Sequence, residues 1–308
     1  MRKHFKNIIL VLSISLFVYI ILAIYSDVDL VYKEFINFPI SKIITALLIA
    51  IGILIFKFFR WNYLLKLKSI KIDLISSVQI FCTGLIMSVS PGKFGELIKS
   101  YFLKDKFNIE YSLSVPVIIA ERFSEFFTLL ILESLILILI FKNFSMILLI
   151  LIAAIIVLIL AANRTFFSKI VLLFSQIKFL KIDKSKSDAI IDSRKLLFNP
   201  TVIAYSFFSW LLEFFCFYII LSNFITDIFV LEAVSSYAIA IIFGSITMLP
   251  GGIGTTESSL AYLLVNNGLN LNYSVVTTIF IRILTLWIPV LIGFASLTIY
   301  WKKNKIHL

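Results

Sequence analysis

Long uninterrupted runs of hydrophobic residues divide the chain into its predicted elements. A helix needs about 20 apolar residues to cross the hydrocarbon core of a bilayer, and several runs approach or exceed that length. The runs lack the alternation of apolar and polar residues that is typical of a membrane β-barrel, so the pattern predicts an all-α, polytopic membrane protein. We expect six full spans, at about residues 8–25, 39–60, 112–141, 147–162, 201–221 and 273–300.

Two further apolar runs are broken by proline and glycine. The run that begins at Leu74 stops at Pro91-Gly92, and the run that begins at Ala233 stops at Pro250-Gly251-Gly252. Proline removes a backbone donor and glycine frees the backbone, so a helix should break at each place. A short helix follows each break, from about Phe94 and from Thr255, and neither is long enough to cross the bilayer. We therefore expect two re-entrant helical hairpins.

The two hairpins belong to an internal repeat. Pro91-Gly-Lys-Phe-Gly-Glu96 corresponds to Pro250-Gly-Gly-Ile-Gly-Thr-Thr-Glu257, and Arg122 corresponds to Arg282 at nearly the same distance downstream. Three predicted crossings separate the copies, so the hairpins should be oppositely oriented and related by an inverted repeat. The predicted organisation is a single transmembrane domain, residues 1–308, with repeat 1 at about 75–141, a cytoplasmic linker at 163–199 and repeat 2 at about 233–300.

Composition supports a membrane protein, and the charges give its orientation. Hydrophobic residues make up 61% of the chain, which excludes a soluble globular protein. The net charge of +11 does not indicate a nucleic-acid partner, because the basic residues cluster in the loops. With a cytoplasmic N-terminus, 20 lysines and arginines, Arg60 among them, fall on the cytoplasmic side and 3 on the outer side. This asymmetry predicts that both termini are cytoplasmic.

Histidine and cysteine give no support for a catalytic or metal site. The histidines, His4 and His307, lie at the two ends of the chain, and Cys82 and Cys216 both fall in predicted membrane segments. We therefore expect no catalytic residue, no metal and no cofactor. We interpret both thiols as packing residues.

Arginine and glutamate inside predicted membrane helices are the candidate chemistry. Arg122 and Arg282 are expected about 15 Å deep in their spans, at 1.5 Å per residue, where an unpaired arginine costs at least about 3 kcal/mol. Two interpretations are open: structural ion pairs that hold the bundle together, or a site for an anionic head group whose carboxylates carry coupling protons. The available carboxylates are Glu96, Glu125, Glu213 and Glu257.

The breaks indicate where such a site would lie. Backbone N–H groups freed at a break are tolerated in a membrane only beside a polar cavity or inside protein, and a helix N-terminus attracts anions. Two opposed hairpins therefore predict a shared polar chamber near the bilayer midplane. Gly92, Gly251 and Gly252 allow the backbone to bend and approach closely. Lys93 either contacts the head group or extends to the cytoplasmic interface.

These motifs resemble those of a known family. Pro91-Gly-Lys-Phe-Gly-Glu96, Glu121-Arg122-x-x-Glu125 and Pro250-Gly-Gly-Ile-Gly-Thr-Thr-Glu257 are similar to motifs of the lysylphosphatidylglycerol synthase transmembrane, or flippase-like, family of prokaryotic inner-membrane proteins. The likeness covers essentially the whole chain and implies translocation of a lipid between leaflets. The better-known members add a soluble aminoacyltransferase domain. This chain ends at Leu308, just after the last predicted span, so we do not expect synthase activity. Lys93 stands where arginine is common in the family, and lysine lacks the bidentate grip of arginine on phosphate.

Three hypotheses for function follow. The first is a lipid flippase or transporter that moves an anionic or phosphate-bearing lipid through the chamber, in a prokaryotic cell membrane. The alternatives are a membrane-embedded enzyme that acts on a lipid-linked phosphate and a secondary transporter of a soluble anion. Membrane lipids are the expected partners, nucleic acid is not, and a homo-oligomer and a separate lipid-modifying enzyme are left open. The candidate substrate-binding residues are Arg122, Arg282, Glu96, Glu257, Glu125, Glu213, Lys93, Gly92, Gly251 and Gly252.

Overall fold

All regular elements that the structure describes are helices. The structure is a computed structural model that describes residues 17–21, 24–140, 193–224 and 230–303, with scattered positions between 152 and 191. No strand occurs among these residues, which confirms the all-α prediction. In chain order the α-helices are α1 (Val28–Ile36), α2 (Ile40–Leu67), α3 (Leu74–Leu85), α4 (Ile98–Phe107), α5 (Tyr111–Ile140), α6 (Pro200–Leu221), α7 (Val230–Ile246), α8 (Thr255–Asn266), α9 (Leu271–Arg282) and α10 (Ile288–Lys303).

Four stretches of helix are long and apolar enough to cross a bilayer. The shortest has 22 residues, which is about 33 Å at 1.5 Å per residue, against a hydrocarbon core of about 30 Å. They correspond to four of the six predicted spans and make the chain a multi-pass membrane protein. The other two predicted spans, at 8–25 and 147–162, lie largely outside the described residues. The four stretches are Ile40–Leu67, Tyr111–Ile140, Pro200–Leu221 and Leu271–Tyr300, the last of which joins α9 to α10 through a π-helical turn, Ile283–Trp287.

Short polar side chains fix the starts of several helices. Asp27 accepts hydrogen bonds from the backbone N–H groups at the start of α1. Asp73 accepts one from the Ser76 N–H, at 2.9 Å, at the start of α3, and Asn270 accepts one from the Asn272 N–H at the start of α9. Each carboxylate or amide satisfies an N–H group that has no partner inside its helix. The loops before these helices are therefore held in place by local sequence.

Two compact units divide the chain. The first consists of Met1–Ile53, Ile86–Gly95 and Leu211–Leu308, and the second consists of Leu54–Leu85 and Glu96–Trp210. Aromatic rings fill the interior of the first unit, where the centroid of Phe38 lies 4.4 Å from that of Phe280. The interior of the second unit contains Trp61 and Leu64, both fully buried.

The first break lies where proline and glycine predict it, but its form differs from the prediction. After α3 the chain tightens into a 3-10 turn, Ile86–Val89, and a second 3-10 segment covers Pro91–Leu97. Gly92 and Lys93 both have left-handed backbones, with φ of 56° and 57°. We expected an α-helix from about Phe94, whereas the 3-10 segment continues to Leu97 and α4 begins at Ile98, because the first turn after the break is wound as a 3-10 turn, which is frequent at the start of an α-helix.

The second break needs glycine for conformation and for space. Gly251 and Gly252 have φ of 63° and 67°, a region that other residues rarely adopt. A Cβ atom on Gly252 would lie 3.2 Å from the Gly244 Cα atom and 2.5 Å from the Thr256 Oγ1 atom. The backbone of the break therefore packs directly on α7. Helix α8 then begins at Thr255, as predicted.

The apolar helices before the two breaks are shorter than the spanning helices. They cover Leu74–Val89 and Val230–Ile246, and the second has 17 residues, fewer than the roughly 20 that a full span needs. This length agrees with hairpins that do not cross the bilayer. Re-entry, the inverted relation of the repeats and the shared chamber stay predictions.

Candidate functional site

Six charged side chains of the second unit form a closed circuit in which cations and carboxylates alternate. Three are cationic and three are anionic, so the formal charge of the set is zero. Each cation lies within 4.0 Å of two carboxylates, and each carboxylate lies within that distance of two cations. We call this set the charge ring, and in order around the circuit it consists of Arg60, Glu125, Arg122, Glu96, Lys99 and Glu121.

Arg122 lies between two carboxylates on one side of the charge ring. Its Nη1 atom is 2.8 Å from Glu125 Oε2 and 3.2 Å from Glu96 Oε1. Glu125 in turn receives a 2.5 Å hydrogen bond at Oε1 from the Nη2 atom of Arg60. A single carboxylate of α5 thus joins an arginine of α2 to an arginine of its own helix.

Lys99 closes the charge ring on the opposite side. Its Nζ atom lies 2.5 Å from Glu121 Oε2 and 3.2 Å from Glu96 Oε2. The circuit ends with Glu121 Oε1, which is 4.0 Å from the Nη2 atom of Arg60. This last separation is too long for a hydrogen bond, so it is the weakest connection in the ring.

Burial differs sharply around the charge ring. The side chain of Arg122 is 21% exposed and that of Glu125 is 10% exposed, whereas the other four side chains are 3% exposed or less. A charge buried away from water is tolerated only when it is paired, and the alternation provides that pairing. The ring therefore has one corner open to a ligand, at Arg122 and Glu125.

Packing of α3 against α4 carries the Lys99 side chain into the interior. Its aliphatic stem crosses Gly84, where a Cβ atom would lie 2.6 Å from Lys99 Cγ. The ammonium group lies 4.7 Å from the ring centroid of Trp61, within cation–π distance. Glycine on α3 and tryptophan on α2 thus make the space and the electrostatic surroundings for a buried lysine.

Helix α6 holds the Arg60 and Glu125 side of the charge ring. The Ser206 Oγ atom accepts a 2.8 Å hydrogen bond from Arg60 Nη1, and the Trp210 indole donates a 2.9 Å hydrogen bond to the backbone carbonyl of Glu125. Three polar atoms of the ring still lack a hydrogen-bond partner among the described residues: Nε of Arg60, Nε of Arg122 and Oε1 of Glu121. The ring therefore keeps unused donors and one unused acceptor.

The first unit contains a simpler arrangement, one arginine paired with one glutamate. The Nε atom of Arg282 donates to Glu257 Oε1 at 2.6 Å, and its Nη2 atom donates to the Gly251 carbonyl at 2.6 Å. The other oxygen of Glu257 accepts the Gly254 N–H at 2.7 Å, at the start of α8. We call this arrangement the break pair, because it ties both sides of the second break to α9.

Aromatic residues enclose the break pair. The Tyr19 hydroxyl lies 3.4 Å from Glu257 Oε1 and accepts a 2.8 Å hydrogen bond from the Trp287 indole. The Glu257 side chain is fully buried and that of Arg282 is 5% exposed. An anion that approaches Arg282 therefore finds its guanidinium already engaged and covered.

The amino-acid sequence matches a family of membrane proteins. The lysylphosphatidylglycerol synthase TM region is matched over residues 8–293. The chain belongs to that family. No solved structure matches the chain.

The chain is also similar to two UPF0104 membrane proteins. The one from Methanothermobacter thermautotrophicus is 29% identical over 108 residues, which is 34% of this chain and 32% of that protein. The one from Methanocaldococcus jannaschii, MJ1078, is 24% identical over 218 residues, which is 68% of this chain and 91% of that protein. The match therefore covers about a third of the first relative and most of the second.

The structure distributes the candidate residues of this family member between two places. Glu96, Arg122 and Glu125 come together in the charge ring, and Glu257, Arg282 and Gly251 come together in the break pair. Each arginine of the repeat is thus paired with the glutamate of its own copy.

The other candidate residues belong to neither set of ion pairs. Glu213, in the first unit, accepts a 2.9 Å hydrogen bond from the Tyr237 hydroxyl. Gly92, Lys93 and Gly252 occupy left-handed positions of the two breaks. We expected free N–H donors at the breaks, but Ser90 Oγ accepts the Gly95 N–H at 2.7 Å, and Glu257 accepts the N–H at the other break. The protein's own side chains satisfy these donors.

Sequence reasoning missed half of the charge ring. We counted Arg60 as a basic residue of a cytoplasmic loop, but it lies inside helix α2 and is 0% exposed. Lys99 and Glu121 were not among the candidates, although Lys99 follows Glu96 by one helical turn and Glu121 precedes Arg122. Lys99 could have been found from its spacing, because opposite charges three or four residues apart lie side by side on a helix.

Among the described residues, no group of three or more histidine, cysteine, aspartate or glutamate side chains is arranged to hold a metal ion. The carboxylates of the charge ring face lysine and arginine instead. Carboxylates in such a set can exchange ion-pair partners or bind protons.

Proposed function

We propose that the protein moves an anionic or phosphate-bearing lipid between the leaflets of the membrane and that it binds the head group at Arg122. The observation that supports this proposal is the open corner of the charge ring. Arg122, at 21% exposure, is the only member of the ring above 10%. Membership of the lysylphosphatidylglycerol synthase transmembrane family supports a role in lipid transport.

A phosphate can take the place of a carboxylate at Arg122, because the guanidinium group itself has the hydrogen-bond donors that the phosphate needs. Guanidinium presents five N–H groups in a planar fork that fits two oxygens of a phosphate, and the Nε atom of Arg122 has no hydrogen-bond partner in the described structure. If Glu125 leaves Arg122, it keeps its 2.5 Å contact with Arg60. The head group thus enters by an exchange of partners, while the acyl chains remain in the lipid.

The same proposal includes how the protein lies in the membrane. We place it in a prokaryotic cell membrane with both termini in the cytoplasm. The excess of basic residues supports this orientation: without the buried Arg60, 19 lysines and arginines fall on the cytoplasmic side and 3 on the outer side. Membrane lipids are the partners, and lipid movement proceeds without chemical turnover, so the protein is not an enzyme.

Transbilayer movement of labelled lipid in proteoliposomes tests the proposal. Wild type should move labelled phosphatidylglycerol between leaflets, and Arg122→Gln should abolish that movement because the phosphate loses its cationic partner. Lys33→Gln, which removes an exposed positive charge in α1 far along the chain from the charge ring, should behave like wild type. Equal rates in wild type and Arg122→Gln would overturn the proposal.

The alternatives predict different products in the same vesicles. New lipid species in extracts, with no change in sidedness, would indicate an enzyme that acts on a lipid-linked phosphate. Uptake of radioactive inorganic phosphate, with no movement of lipid, would indicate a transporter of a soluble anion. Arg122→Gln should abolish whichever activity uses the charge ring.

A further inference from the structure

We infer that the charge ring takes up one proton at Glu125 for each anionic head group that binds at Arg122, so that lipid movement is coupled to protons. The inference rests on the proposed function, because it needs an anion at Arg122. It goes further by naming the coupling ion, the residue that carries it and the ratio of one to one.

Charge balance is the first argument. The three cations and three carboxylates of the ring already cancel. A phosphodiester brings one more negative charge into a set whose members, apart from Arg122, are at least nine-tenths buried. An uncompensated charge in such a place is costly, and a carboxylate there responds by binding a proton.

Glu125 is the carboxylate best placed to accept that proton. Its side chain is 10% exposed, whereas those of Glu96 and Glu121 are 3% and 0% exposed, so water reaches Glu125 first. Its Oε2 atom is also 2.8 Å from the Arg122 Nη1 atom, where the phosphate has to bind. The incoming anion and Glu125 therefore compete for one donor.

The ion pairs of the ring can rearrange once Glu125 is neutral. Glu121 Oε1 has no hydrogen-bond partner among the described residues and lies 4.0 Å from Arg60 Nη2, so a small movement brings these two groups into contact. Glu96 keeps Lys99, at 3.2 Å. The rewired ring holds three cations, two carboxylates and one phosphate, and its formal charge is again zero.

The groups around Glu125 contain no better proton acceptor. Its own helix contributes Glu121 and Arg122, and α2 contributes Arg60. Arg194 and Lys195 belong to the 3-10 segment Ser193–Phe198 that packs on α5, and α6 contributes the Trp210 indole. Glu96, the other carboxylate partner of Arg122, and its neighbour Lys99 are the remaining charged members of the ring among the described residues. No histidine occurs between His4 and His307, so a proton-linked step in the neutral range falls to a carboxylate.

Coupling makes the bound complex electrically neutral. The phosphodiester carries one negative charge, and the proton on Glu125 carries one positive charge. No bond of the lipid is made or broken, and the proton returns to water when the head group leaves. A pH gradient therefore drives the lipid toward the more alkaline compartment, and the membrane potential does not.

Calorimetric titration of the detergent-solubilised full chain measures the proton directly. Dihexanoyl-phosphatidylglycerol and inorganic phosphate serve as separate probes, each titrated near neutral pH in two buffers of different ionisation enthalpy. Wild type should take up about one proton per bound dihexanoyl-phosphatidylglycerol, whose phosphodiester does not itself titrate near neutral pH, and the Kd of that probe should rise about tenfold per pH unit above neutrality. Binding of the lipid probe alone indicates a lipid carrier, and binding of inorganic phosphate alone indicates a carrier of a soluble anion.

Matched variants assign the proton to a residue. Glu125→Gln should bind the probe more tightly, with no proton uptake and no dependence on pH. Glu110→Gln removes an exposed carboxylate at the start of α5 and should behave like wild type. If Glu125→Gln does not fold, Arg60→Gln combined with Glu125→Gln keeps the empty ring neutral. A bound phosphate then adds a negative charge that glutamine cannot offset by taking up a proton, so this variant should bind the lipid probe far more weakly than wild type. Binding with wild-type affinity and uptake of a full proton would overturn the assignment to Glu125.

Each failure has a distinct meaning. Binding without proton uptake in wild type overturns the coupling and leaves the proposed function intact. Uptake of a full proton by Glu125→Gln overturns the assignment to Glu125. Binding of neither probe overturns the proposed function together with this inference.

Discussion

The two clusters of buried charge differ in how many partners each group has. Every member of the charge ring lies within 4.0 Å of two opposite charges, so one ion pair can break while an opposite charge remains nearby. Arg282 and Glu257 of the break pair have only each other as ionic partners among the described residues, and both are also bound to the backbone of the second break. We therefore expect the charge ring to be an exchangeable site and the break pair to be a fixed brace, and arginine and glutamate occur in both.

The comparison shows that the two copies of the predicted repeat have different surroundings. Both copies pair their arginine with their own glutamate, as Arg122 does with Glu96 and Arg282 with Glu257. The first copy gains Arg60 and Lys99 from outside the repeat motif. The second copy instead gains Tyr19, Trp287 and a helix start. We therefore expect the neighbouring residues, rather than the motif, to decide which pair can accept a ligand.

The largest expected effect is loss of stability when the break pair is cut. Arg282→Gln leaves the fully buried Glu257 without its cation and should lower the free energy of unfolding by about 3–5 kcal/mol. Denaturant-induced unfolding in detergent measures this. Glu257→Gln combined with Arg282→Gln should recover part of the loss, because it removes the unpaired charge. A loss below that of an exposed control such as Lys33→Gln would mean that the pair is not a brace.

A smaller effect is expected from crowding the buried side of the charge ring. In Gly84→Ala the new Cβ atom meets the stem of Lys99, at 2.6 Å from Cγ and 2.7 Å from Cδ. Overpacking of this kind costs about 1–3 kcal/mol, partly offset by the better helix propensity of alanine. Unfolding and lipid movement should both be measured. Gly52→Ala is the matched control, since the nearest atom there is 3.4 Å away.

Removal of the Arg122 guanidinium from the charge ring should lower stability by a still smaller amount. Arg122→Gln should lower the free energy of unfolding by only about 1 kcal/mol, because the group is partly exposed and because Glu96 and Glu125 each keep another cation. The same unfolding experiment, run beside Arg282→Gln, tests the comparison directly. Equal losses in the two variants would erase the distinction between exchangeable site and brace.

The smallest effect concerns a capping group that belongs to neither cluster. The hydrogen bond from the Ser76 N–H lowers the pKa of Asp73 below its usual range. Because the folded pKa is below the unfolded one, the cap stabilises the fold at neutral pH and loses that effect as pH falls through the folded value. Asp73→Asn should therefore be less stable than wild type at neutral pH, and the difference should shrink in strong acid. A difference that grows on acidification would contradict this cap.

Local sequence rules predicted the helices and the positions of the breaks. Both apolar runs break before proline and glycine as expected, although α3 already ends at Leu85 and α7 at Ile246, and α8 begins at Thr255 as predicted. The same sequence rules gave the wrong start for α4, because the residue types did not show that Lys93 would adopt a left-handed backbone. Such a conformation is imposed by packing around the break rather than by the preference of lysine.

The residues of the candidate site that the sequence did not predict are brought there by tertiary contacts. Spacing within α5 placed Arg122 next to Glu125, and the repeat suggested Glu96. Arg60 lies 65 residues from Glu125 in the chain, at the end of an apolar run where basic residues usually face water. Only the packing of α2 beside α5 shows that its guanidinium turns inward. Burial of a long side chain is a property of its neighbours.

The tryptophans beside the charge ring provide an optical readout of its state. The indole of Trp61 lies 4.7 Å from the ammonium group of Lys99, and that of Trp210 is hydrogen-bonded to the carbonyl of Glu125. Indole emission responds to a nearby charge and to the loss of a hydrogen bond. If the ring exchanges ion-pair partners when an anion binds, the exchange should therefore change the intrinsic fluorescence of the unlabelled protein. Binding at Arg122 should then be measurable in real time in an intact bilayer.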